Sequence, residues 1–155
     1  MEAPQNHIWG PELWRILHSS AERIGSQVLK RLPEEEKRIW AGLLSSLRFS
    51  LPCPLCKKHY TQFSSTHPLL SMDRSTIRAW LYDLHQDANQ HTGKEQMITL
   101  EELPSLYGQP FHFSKHCKIV EQHMAYALRL GWVTRTDIIR TARFLEELKR
   151  FYDFF

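Results

Sequence analysis

Two of the three cysteines in this 155-residue chain stand three apart, in the stretch LPCPLCKKHY at residues 51–60. Thiols at that spacing serve reversible disulfide exchange or metal binding. Pro54 suits the first turn of a helix, where its missing N–H costs nothing, so Cys53 falls at a helix N-terminus. The partial positive charge and free N–H groups there stabilise a thiolate, and Lys57 and Lys58 add positive charge nearby. These features favour a redox pair at the start of a helix. A second reading is zinc held by Cys53, Cys56, His59 and His67; thiolate and imidazole are its preferred donors, but the histidine gap is wide and no second C-x-x-C exists. A thioredoxin-like site needs a strand leading into the motif, and the segment before Cys53 reads as a helix. The plainest reading, two buried apolar cysteines, fits poorly with the flanking prolines and the basic residues after Cys56.

A dithiol that is oxidised must pass on two electrons. Only Cys117 remains among the cysteines, so a cofactor is the natural acceptor. In WRILH, Trp14 and His18 sit four apart, on one face of a helix. In HQDAN, His85 and Asn89 do the same, and Lys94 follows. Trp14 and His18 could cover a planar ring, while His85, Asn89 and Lys94 could meet a polar tail and its phosphates. Either pattern alone is more readily core packing beside a satisfied histidine.

The elements that must position these groups are helices throughout. Gly10-Pro11 is expected to open the first, with Leu13, Trp14, Leu17, Ala21, Ile24, Val28 and Leu32 at helical spacing. Pro33 and three glutamates start a second, whose buried face is Ile39, Trp40, Leu43, Leu44 and Leu47. A third runs from Pro54 to about Thr66. Asp73 caps a fourth, with Ile77, Trp80, Leu81 and Leu84 inward, and Gly93 ends it. Thr99 to Glu102 has capping-box form and starts a short fifth. Two more stretches follow a break at Tyr107-Gly108-Gln109-Pro110: about Ser114 to Leu130, and one after Thr136 carrying Ile138, Ile139, Ala142, Leu145 and Leu148. The expected class is all-α, with residues 1–108 as one unit and 109–155 as a helical extension that packs on the bundle or forms an interface.

Composition narrows the function. Apolar residues make up 42%, enough for a core, and 20 basic against 17 acidic residues leave too small an excess to argue for nucleic acid. No apolar run approaches a membrane span, and the opening MEAPQNHIWGPELW lacks a basic region followed by an apolar one, so the cell interior is the expected address.

Three motifs in order, WGPELWRILHSSA, LPCPLCKKHYTQF and HQDANQHTGK, resemble the Erv/ALR family of FAD-linked sulfhydryl oxidases over roughly residues 8–107. WGP at the start and LPC-x-x-C followed by histidine look most like the forms in large cytoplasmic DNA viruses. Gln86, Ala88 and Thr92 stand where the family has Asn, Val and Leu; His85, Asn89 and Lys94 match. The resemblance implies a four-helix bundle plus a short fifth helix, holding FAD. It implies that Cys53 exchanges disulfides with thiol proteins or a relay dithiol protein, and that Cys56, kept deprotonated, passes electrons through FAD to O2 to give hydrogen peroxide. Trp14 and His18 would then pack on the cofactor's rings, Tyr60 and Phe63 close the flavin pocket, His85 and Asn89 meet the adenine and ribose, and Lys94 the pyrophosphate. It further implies a homodimer, and work in host cytoplasm or the virion. The family's further cysteine pairs have no counterpart within this chain, where Cys117 stands alone and is expected to be inert or partly exposed, the alternatives being a shuttle thiol or a disulfide between subunits.

Overall fold

A computed structural model describes residues 2–27, 29–95 and 98–155. The elements are α1 (Asn6–Ala21), α2 (Pro33–Ser50), α3 (Pro54–Thr66), α4 (Arg74–Thr92), a 3₁₀ turn (Leu100–Glu102) that runs into α5 (Leu103–Tyr107), α6 (Phe113–Arg129) and α7 (Arg135–Phe151). The described residues include no strand. The chain is all-α, as its periodicity requires.

Local punctuation sets most boundaries. Pro33 opens α2, with Glu34, Glu35 and Glu36 in its first turn. The Asp73 carboxylate accepts the Thr76 N–H at 2.8 Å to cap α4. Gly93 closes that helix in the left-handed region, at φ 70°. Thr99 and Glu102 form the expected capping box. A second box, Thr134 with Asp137, starts α7 slightly earlier than Thr136.

The first helix departs from expectation at both ends. It begins at Asn6, so Pro11 lies inside it. The proline forfeits one bond, to the carbonyl of exposed His7, where solvent can replace it. At the other end α1 stops at Ala21 rather than continuing to Leu32. Glu22 is drawn to Arg74 and Arg78 of α4, at 2.9 and 2.7 Å. The Arg23 guanidinium spans the Ser19, Tyr107 and Gln109 carbonyls. Gly25, at φ 85°, then turns the chain away. Ile24 is still buried, Leu29 and Leu32 are exposed, and Val28 lies outside the described residues.

Packing joins α1 to α4, α5 and α6, α2 to α3 and α7, and α3 to α4. The expected inward residues of α2 and α4 are all buried, and one apolar core runs from α1 through α7. The two last helices therefore lie against α1 and α2, and α7 is locked onto α2. The Phe144 ring enters a notch at Gly42, where an added Cβ would lie 2.2 Å from its Cζ. The Thr141 hydroxyl lies 2.9 and 2.6 Å from the Ser46 and Ser50 hydroxyls. Tyr152 accepts from the Trp40 indole at 2.9 Å and donates to Glu36 at 2.6 Å. On α7 the stripe turns inward at Thr141, while Ile139, expected on it, is 56% exposed.

Candidate redox site

The start of α3 holds the two thiols. Cys53 is its N-cap: the backbone is extended, and the sulfur accepts the Cys56 N–H at 3.2 Å. Asn6, the first residue of α1, reaches both sulfurs, its Nδ2 3.6 Å from each. The Trp9 indole donates to Asn6 Oδ1 at 3.0 Å, which fixes the NH2 side of that amide toward the sulfurs. The Cys53 thiol is held well below its usual range, first by the Cys56 thiol beside it, then by the Cys56 backbone N–H and the Asn6 amide. Cys56 is pushed up by the same neighbour and by burial, because a second thiolate so close is opposed. The helix-cap N–H on Cys53 Sγ favours a thiolate at that sulfur in the reduced pair.

Cys56 faces inward. It lines a cleft of about 840 Å³ of open space, part of it continuous with solvent. Trp9, Leu13 and Leu17 of α1, with Leu47 and Leu84, make its apolar wall; Asn89, His91 and Lys94 stand at its polar end. A second cavity shares Gly10, Trp14, Asn89 and Lys94 with the first and adds His85, Tyr107 and, from α6, His116.

Between the two lies a stack of rings. Trp14 lies on His85 at 4.0 Å and nearly parallel, and His18 lies on Tyr107 at 4.6 Å. His18 Nε2 and His85 Nδ1 share a proton at 2.9 Å. Burial lowers His18 to about 3 and His85 to about 4, each helped by neighbouring positive charge, so both rings are neutral at physiological pH. Neutral imidazoles beside an indole make a flat wall with one donor and one acceptor.

Of the residues singled out in the sequence, Trp14, Cys56, Tyr60, Asn89 and Lys94 meet at the first cavity and His85 at the second. Cys53 sits beside Cys56 at the helix tip. His18 is a buried member of the ring stack and lines neither of these two cavities. Tyr60 also donates to the Leu44 carbonyl at 2.6 Å. Phe63 turns elsewhere: it stacks on His67 at 4.1 Å and meets Trp80 edge-on. Cys117 lies on α6, 3.3 Å from Glu121, and is raised by burial and that carboxylate. The zinc reading finds little support, since His67 is bound to its own turn through Nδ1 and the described residues offer no cluster of three or more metal donors. Asn6, Trp9, Gly10 and Tyr107 were not foreseen. Asn6, Trp9 and Leu13 do share a helical face, but only if α1 begins before Pro11.

The residues present suit a planar aromatic group with a polar tail. Gly10 lines both cavities, and a Cβ built on it would meet no side chain within 4 Å, so the backbone leaves open space in the cleft that Cys56 also lines.

An all-helical bundle with a capped dithiol opening onto an aromatic-walled cavity defines a class of redox-active helical proteins. The chain belongs to the Erv1 / Alr family, which matches residues 11–105. It is 28% identical over 108 residues to the candidate FAD-linked sulfhydryl oxidase 088R of Frog virus 3 (isolate Goorha). That match covers 64% of this chain and 66% of the relative's length. No solved structure matches at significance.

Proposed function

We propose that this chain is an FAD-linked thiol oxidase that makes disulfides in thiol-bearing proteins, or in a relay dithiol protein, with O2 as the final acceptor. The observation that carries the reading is the placement of Cys56 in the wall of the cavity that Trp14, Asn89 and Lys94 also line. Family membership and the name of the viral relative support it.

The cofactor's rings would lie against the indole and imidazole wall, and Asn89 and Lys94 would hold its polar, anionic part. Bound there, FAD supplies two-electron acceptance from a dithiol and return of those electrons to oxygen as hydrogen peroxide. The chain's own work is disulfide exchange. A substrate thiolate attacks Cys53 of the Cys53–Cys56 disulfide; an intermolecular S–S bond forms, the internal one breaks, and the electron pair leaves on Cys56. The second substrate thiolate displaces Cys53, which leaves the substrate oxidised and both cysteines reduced. Cys53 suits the attacked position because the N-cap donors make it a good leaving thiolate.

Residues 1–108 would form the oxidase unit and 109–155 an extension that braces it, with His116 reaching the second cavity. No helix of the described residues is long and apolar enough to cross a membrane. The test is a visible spectrum paired with oxygen uptake on dithiothreitol. Yellow protein that consumes oxygen and releases peroxide is expected; colourless, inactive protein would overturn the reading.

A further inference from the structure

The thiol pair has a third polar neighbour that neither the C-x-x-C spacing nor the ring motifs contain. Asn6 Nδ2 is 3.6 Å from Cys53 Sγ and 3.6 Å from Cys56 Sγ. Its amide cannot turn over without losing the Trp9 indole bond to Oδ1. Its place in space depends on where α1 begins, and an N-terminal helical turn frays readily unless tied down. The tie comes from the extension: the Gln5 N–H, one residue before, donates to Nδ1 of His123 on α6 at 3.0 Å. His123 is 4% exposed, and burial lowers its pKa, the direction that favours the neutral ring an acceptor must be.

Resting on the oxidase reading above, we propose that Asn6 is a working member of the redox centre, a clamp on both sulfurs, and that α6 positions it through His123. During exchange the negative charge passes from Cys56, when the internal disulfide breaks, to Cys53, when the substrate disulfide closes. One amide equidistant from the two sulfurs donates to whichever holds the charge. By favouring the thiolate it stabilises the reduced pair, which makes the disulfide a stronger oxidant of substrate thiols. His123 touches neither sulfur and is a positioning residue. The titratable groups that bear on Cys53 are Cys56 and His59 of its own helix; α1 presents the uncharged Asn6. Lys57 is turned to the Trp132 carbonyl.

The test uses the full chain as purified. The rate of iodoacetamide alkylation at Cys53 is followed against pH, and the dithiol–disulfide balance is read in glutathione buffers. Asn6→Ala is expected to lower the acid dissociation constant of Cys53 read from the midpoint of that pH profile roughly three- to ten-fold, the worth of one lost hydrogen bond, and to shift the balance toward disulfide. Asn6→Asp, which keeps the acceptor for Trp9 but sets a carboxylate beside the sulfurs, should shift both readouts further the same way. His123→Leu should move them in that direction by less. Unchanged alkylation profiles in a folded Asn6→Ala or Asn6→Asp protein would overturn the clamp; an unchanged His123→Leu profile would overturn its control by α6. Neither readout needs flavin or oxygen. A colourless protein with shifted profiles would sink the oxidase reading alone, and an active oxidase with unshifted profiles would sink this proposal alone.

Discussion

The face where α7 meets α2 and the cleft that α1 shares with α2, α3 and α4 are finished in opposite ways. At the first, the Phe144 ring fills the Gly42 notch, and Trp40, Tyr152 and Glu36 satisfy one another in a buried chain. At the second, Gly10 faces open space, and Trp14, Asn89 and Lys94 surround a gap that ends at a sulfur. Protein interiors normally close such gaps, because lining atoms without neighbours lose dispersion energy. A chain that closes one face so completely and leaves the other open has a use for the opening.

Four substitution experiments would break or sharpen that contrast. The largest effect is chemical: Cys56→Ser and Cys53→Ser should each abolish oxygen uptake on dithiothreitol while leaving the fold, measured by circular dichroism, intact. Full activity in Cys53→Ser would break the exchange route. Next comes the same change at the two glycines, read by chemical denaturation. Gly42→Ala should cost about 1–3 kcal/mol, since Phe144 must retreat. Gly10→Ala should change stability by less than about 1 kcal/mol, because the helical gain of an alanine is offset by crowding of its Cβ against the Pro11 ring while no other residue stands in its way. Equal costs at both sites would erase the distinction between closed and open faces.

The third is a pH dependence. His18 and His85 have native values of about 3 and about 4, below the ordinary 6.5, so the unfolded chain binds protons that the native one refuses. Their contribution is complete above pH 6.5 and is lost as pH falls toward 4 and then 3. The variant with His18→Asn and His85→Gln should show a shallower loss of stability over that window; an identical slope would contradict the neutral ring stack. The smallest effect is at Cys117→Ser. Its thiol is raised by burial and Glu121, so oxidation of a small dithiol should proceed at the parent rate. A clear drop would give Cys117 a shuttle role.

What could be read in advance was local. Pro33 and Pro54 at first turns, Asp73 as a cap, Gly93 as a stop and the inward stripes of α2 and α4 act over a few residues, and each holds in the structure, whereas Pro11, expected to open α1, lies inside it. The length of α1 was not legible, because Glu22 and Arg23 leave the helix for partners on α4 and at and beyond the end of α5 that only the fold supplies. On α7, apolarity points to Ile139, but hydroxyls on α2 select Thr141 for the buried position. The cysteine pair and ring residues carry their own signal in type and spacing. Asn6 does not, since its reach to the sulfurs depends on a helix start that His123, far along the chain, holds in place.

The most direct measurement is an anaerobic titration of the purified protein with dithiothreitol, following the yellow colour of bound flavin. Bleaching in the parent protein, with colour retained in Cys56→Ser, is the predicted result. Bleaching at the parent rate in Cys56→Ser would mean that electrons reach the cavity without its inner sulfur, and would contradict the account.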